Sequence, residues 1–166
     1  MAKLTSKYSL GDRIVHHNYG VGRIIDIERK PMNGIEVECF KVKTKDGVYW
    51  FPTDGPVNPR IHLVASEELV QRAIEILRSA PEDLENDPVQ WEERIDNVKT
   101  DGDFLAVSSL VRDLAALKTK KQLNSIQAQA LKNLKDRLIR EWAASLDVNA
   151  ITIRPKLNAY LRESIA

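Results

Sequence analysis

The rhythm of apolar and polar positions changes once along the chain, near residue 65. Before that point apolar residues come in short, β-rich runs: RIVHH from Arg13, VGRIIDIER from Val21, EVECFKVKT from Glu36 and GVYWFP from Gly47. Asn18-Tyr19-Gly20, Pro31-Met32-Asn33-Gly34 and Lys45-Asp46-Gly47 separate them, and all three are turn chemistry. Lys45-Asp46-Gly47 carries the strongest hairpin signal, because Asp-Gly supplies the positive φ angles of a tight turn. Pro52 and Pro56 end the strand pattern. Four or five short strands in so little chain predict a small, strongly bent β-barrel of the Tudor or SH3 type over residues 1–64.

From Ser66 onward the period is helical. Ser66 is placed to cap a first helix with Leu69, Ala73 and Leu77 along one face. Asp87 caps a second, with Pro88 at its first position and Gln90 set for a capping-box pair. Asp103 opens a third with the stripe Val107, Leu110, Val111 and Leu114. Asn124 or Ser125 opens the longest, with Leu131, Leu134, Leu138 and Trp142, and a last helix is predicted over Thr152–Glu163. Short connections between these segments imply a compact all-α bundle over 65–166. The fold class expected is therefore α+β in two domains, barrel first and bundle second.

Charge refines this division. The chain of 166 residues has net charge +1, but residues 61–100 carry four basic side chains against ten acidic, between two mildly positive ends. Such a layout suits a protein that touches two partners of different charge. The apolar runs are too short for a bilayer span, and the N-terminus has no apolar leader core, so a cytoplasmic protein is expected. No heptad seam or symmetric patch argues against a monomer.

Reactive chemistry is sparse. Gly20 and Gly22 lack the third glycine and following helix of a dinucleotide fingerprint, and read as a β-turn instead. His16 and His17 point to opposite faces of a strand, His62 is the only other histidine, and Cys39 is the only cysteine, so neither a metal nor another cofactor is expected. Cys39 alternates with Val37 and reads as a small apolar filler. No nucleophile, base and orienter assemble, which argues against an enzyme.

The aromatic residues say more. Tyr49-Trp50-Phe51 are consecutive in one strand, so at least one of them faces outward. Trp142 falls in the apolar stripe of the long helix. Trp91 is open in either direction: Ile95 and Val98 continue an inward face at i+4 and i+7, whereas Glu92, Glu93 and the nearby helix start make an outward indole easy.

GDRIVHHNYGVGRIIDIE, a strand run ending in VYWFP, and then WEERI followed by DGDFLAVSSLVRDLAAL resemble the CarD/CdnL family of bacterial transcription regulators. The likeness runs in order over residues 8–163; the first half alone is also similar to the polymerase-interacting module of transcription-repair coupling factors. The resemblance implies that the barrel docks on the RNA polymerase β subunit, with Lys30 and Trp50 at the contact and Arg29 and Tyr49 beside them. It implies that the helical domain meets promoter DNA at the upstream edge of the bubble through Trp91, Arg94 and Lys99. There Trp91 would be solvent-exposed and wedge into the minor groove, opposing reclosure of an unstacked step and so stabilising the open complex. Glu92, Glu93 and Asp96 replace the basic residues common after that tryptophan, and Lys30 and Trp50 stand where arginines are common. A protein–protein adaptor, bound to polymerase or a helicase without touching DNA, is the alternative.

Overall fold

The computed structural model describes residues 8–55, 58, 60–83 and 87–166, with Asp101 described by its backbone alone. Pro56 lies outside them. Between Val64 and Ala65 the chain divides into two compact units, each with its own apolar core.

The first unit is an antiparallel sheet of β1 (Arg13–His16), β2 (Gly20–Met32), β3 (Ile35–Thr44), β4 (Val48–Pro52) and β5 (Ile61–Leu63), in the order β4-β3-β2-β1-β5. It is not closed into a barrel, contrary to the sequence expectation. β4 and β5 form opposite edges with no ladder between them, and β5 is only three residues long and spends its pairing on β1. Nor are all the strands short. Asn33 and Gly34, at φ 51° and 82°, form a two-residue turn with both residues in the left-handed region, the geometry that suits hairpin twist. Pairing therefore runs from Met32↔Ile35 to Gly22↔Thr44, interrupted by a bulge between Ile24 and Asp26. β1 covers β2 only along Gly20–Arg23, which leaves Pro31 at an edge where a missing N–H is tolerated.

Ile14, Ile24, Phe40, Val42, Phe51 and Ile61 form the core of this unit, with Tyr8 and Tyr49 packed against it. Gly22 is needed for contact rather than for a cofactor. A Cβ there would lie 2.6 Å from Val42 Cγ1 and 2.9 Å from the Lys43 carbonyl oxygen. Cys39 is wholly buried, as a small filler should be.

The second unit contains α1 (Glu67–Arg78), α2 (Pro88–Asp101), α3 (Phe104–Lys120), α4 (Ser125–Leu146) and α5 (Ala150–Ser164). Local capping sets their starts. Ser66 Oγ accepts from Leu69 N–H at 3.1 Å, Asp103 from Ala106 N–H at 2.8 Å, and Asp87 from Val89 and Gln90 N–H. The reciprocal capping box falls on α4, where Asn124 and Gln127 bond each other's backbone, and not on Asp87 and Gln90. Each start answers orphan N–H groups with a side-chain oxygen. α3 is the central element: Val107, Leu110, Val111 and Leu114 are all fully buried, against α1 and α4 among others. Among the described residues no helix is long and apolar enough to cross a membrane.

Candidate functional site

Register sorts the aromatic triplet of β4. Phe51 lies opposite Phe40 and Tyr49 opposite Val42, both on the core side, whereas Trp50 lies opposite Lys41 and faces outward. The same outer face carries Glu28 and Lys30 of β2, since side chains alternate along a strand. Trp50 Nε1–H donates to Glu28 Oε2 at 3.0 Å. Lys30 Nζ sits 4.2 Å from the indole centroid, and Lys30 and Lys41 approach the Glu28 carboxylate at 3.7 and 3.4 Å. The half-buried indole thus has a cation over its ring and a carboxylate at its N–H edge, on the edge strand β4 itself. Donation by Trp50, then the two lysines, holds the Glu28 carboxyl below the usual carboxylate range.

The four residues expected to contact polymerase do not share one face. Arg29 is paired with Glu38 and projects to the opposite side from Lys30. Tyr49 is half-buried within a run of rings that includes His16, Tyr19 and Phe51, and burial pushes its hydroxyl up to about 12. His16 Nδ1 accepts the N–H groups of Asn18 and Tyr19, and burial lowers its pKa. This side therefore builds the β1–β2 turn. Only Lys30 and Trp50 form a joint surface.

In the helical unit the outcome is the reverse of what the resemblance implies for Trp91. The indole is 2% exposed, and Ile95 and Val98 at i+4 and i+7 are buried with it. The periodicity of α2 decides its direction: its apolar face is the one that packs on α3 and α4. In this conformation Trp91 cannot insert into DNA. Arg94 is diverted as well. Its Nη1 lies 2.7 Å from Asp113 Oδ2, and the Asp113 side chain has no exposure. Asp113 Oδ1 accepts from Arg112 Nε at 2.8 Å and from Glu82 N–H at 2.9 Å. Arg112 Nη1 also donates to Ser79 Oγ and the Ile76 carbonyl at the end of α1. W-x-x-R and V-R-D-L are thus two halves of one buried ion cluster joining α1, α2 and α3.

Lys99 stays exposed, but Glu92, Glu93 and Asp96 are exposed on the same helix, so the outward surface of α2 is mainly acidic. A charged pair set among Val111 and Leu114, in the most apolar helix, was the sequence signal for this cluster. Gly102 completes the arrangement. A Cβ there would meet the Val98 carbonyl oxygen at 2.4 Å, and its own carbonyl accepts from Arg137 Nη2 at 3.0 Å.

The chain thus joins a sheet whose edge strand carries an outward indole to a helical unit with a buried ion cluster where α1, α2 and α3 meet. Residues 8–54 match the CarD-like/TRCF RID domain, and residues 72–158 match the CarD C-terminal domain. The chain belongs to the CarD/CdnL family, whose domains are non-enzymatic, RNA polymerase-interacting transcription regulators. No curated protein matches it significantly.

Proposed function

We propose that the β unit docks on the RNA polymerase β subunit along the β4 edge, with Lys30 and Trp50 as the anchoring pair. The helical unit then contacts promoter DNA in the minor groove at the upstream edge of the bubble and stabilises the open complex. The Lys30–Trp50 pair beside an unpaired strand edge carries this reading. An edge strand offers free N–H and C=O groups for strand addition, and an indole held in place gives up little rotamer freedom on binding. Net charge near zero makes DNA affinity weak unless polymerase supplies the local concentration. The wedge is left out of this reading, because Trp91 is in the core.

Lys30→Glu with Trp50→Ala tests the docking surface in a pull-down with core polymerase. A central tryptophan hot spot is worth about 2 kcal/mol or more, roughly 30-fold in affinity. The double variant should lose that much binding while staying folded, its stability changed by about 1 kcal/mol or less. Binding equal to wild type would mean that polymerase uses another surface. The acidic outer face of α2 favours one rival, an adaptor whose helices meet protein only. Photo-crosslinks from the helical unit in a polymerase–promoter complex separate the two, since an adaptor would label no DNA.

A further inference from the structure

The C-terminal end of α3, the first half of α4 and the first turns of α5 enclose an open groove of about 760 Å³. Lys118, Lys120, Lys121, Lys132, Lys135 and Arg154 line it, with Asp136 the only carboxylate among the lining residues and Leu123 and Leu131 contributing apolar surface. Two of these cations have carboxylate partners: Lys120 with Asp83 at 3.4 Å and Arg154 with Asp136 at 3.0 Å. Among the described residues no ion pair is formed by Lys118, Lys121, Lys132 or Lys135. On a chain of net charge +1, this is a concentrated positive field.

A solvated helix face does not account for it. Lys118 and Lys120 occupy the last turn of α3, where the helix dipole welcomes cations. That explanation stops there. Lys132 and Lys135 lie inside α4, and Arg154 lies near the start of α5, the end of a helix where a cation is disfavoured. Lys135 is half-buried, and burial, then the nearby Arg154 and Lys118, lowers its pKa. Like charges crowded around a concavity repel one another until a polyanion neutralises them.

We propose that this groove holds the phosphodiester backbone of nucleic acid. It is a different surface from the α2 face at which the family resemblance locates DNA contact. Spaced lysines along a channel neutralise successive phosphates as point charges, without reading bases. The proposal rests on the reading that the helical unit meets promoter DNA, and it assigns the residues that do so.

The test uses the full chain bound to polymerase on a promoter with a pre-opened bubble, with a photo-crosslinking residue at Gln122 in the groove. The same complexes carry either Lys118→Gln/Lys132→Gln/Lys135→Gln or Lys99→Gln, and DNA affinity is titrated against salt. The triple variant should keep its melting temperature and polymerase binding while losing the DNA crosslink. Its DNA affinity should fall about tenfold or more at low salt, and its log–log salt slope should shrink by about 0.9 for each phosphate contact removed. Lys99→Gln should resemble wild type. If Lys99→Gln weakens DNA contact and the triple variant does not, the groove assignment fails while DNA contact by the helical unit stands. If no variant changes and no part of the unit labels DNA, both fail. If wild type binds inorganic tripolyphosphate through these lysines but labels no DNA, the groove is a small-anion site and the nucleic-acid assignment is wrong.

Discussion

Around Trp50 an indole, two lysines and a carboxylate meet on the outer face of the sheet. Around Trp91 an indole, two arginines and a carboxylate meet within the helical unit. In sequence the two sets have the same ingredients: Lys30 stands 4.2 Å from one ring and the Arg94 guanidinium 5.9 Å from the other. Exposure separates them. The Glu28 side chain is 29% exposed and the Asp113 side chain 0%. A carboxylate that keeps water leaves its indole free for a partner, whereas one stripped of water depends on its arginines and binds three helices together. Removing one member of the buried set should therefore be costly, and removing one of the open set should chiefly affect binding.

The largest expected contrast is between Trp91→Ala and Trp50→Ala. Truncating a buried tryptophan removes transfer energy and leaves a cavity, about 3–5 kcal/mol. Trp50→Ala should change folding stability by about 1 kcal/mol or less, because it lacks such a cavity. Denaturant titration of both variants gives the comparison directly, and near-equal midpoints would mean that Trp91 is not a core residue. Asp113→Ala belongs with Trp91→Ala. It leaves Arg94 and Arg112 without their shared counter-charge, and breaking a buried pair from one side costs about 3–5 kcal/mol. Glu28→Gln, its open counterpart, should melt only slightly below wild type, because water screens the exposed carboxylate.

A middle-sized effect is expected at the joint that holds α2 in place. Gly102→Ala forces a methyl group to within 2.4 Å of the Val98 carbonyl oxygen, so the α2–α3 connection must shift. Overpacking of this kind costs about 1–3 kcal/mol. Calorimetry on Gly102→Ala measures the effect, and a loss below about 0.5 kcal/mol would show that the connection yields without strain.

What was legible in the sequence follows the same line between local and long-range causes. Ser66, Asp87, Asp103 and Asn124 cap helices through N–H groups two or three residues away, so a short window suffices to find them. The stripe Val107, Leu110, Val111 and Leu114 was equally readable from its spacing. Closure of the sheet was not. It depends on whether β4 and β5 pair. Only residues 53–60 separate them in sequence, but the ladders β4-β3-β2-β1-β5 put them at opposite edges, and no short window contains all of those pairings. Asn33-Gly34 did carry the hairpin signal that makes β2 and β3 long, although Asp46-Gly47 looked stronger by residue type alone. For Trp91 the local period pointed inward correctly, and the family resemblance overrode it. The spacing of Trp91, Ile95 and Val98 describes this chain's own packing, whereas the resemblance carried a role across without the basic residues that normally accompany it. The groove lysines were countable in KTKK and at Lys132 and Lys135, but only the fold brings Arg154 beside them.

The smallest expected effect is also the most specific to the open set. Trp50→Phe keeps an aromatic ring for Lys30 to stack on and removes only the N–H that donates to Glu28. Glu28 titrates below the ordinary carboxylate range chiefly because of that bond, so the variant should raise its pKa toward the ordinary value. A carbon-detected NMR titration of the Glu28 side chain reads this shift. A depressed carboxyl pKa contributes stability that is present above the unfolded pKa and lost as pH falls through the folded value. The difference between Trp50→Phe and wild type should therefore be visible near neutral pH and vanish in acid. Because the ring survives, polymerase binding should fall less than in Trp50→Ala. An unmoved Glu28 pKa would mean that the indole is not anchored by its N–H. The preorganisation that distinguishes this tryptophan from an ordinary surface residue would then be absent.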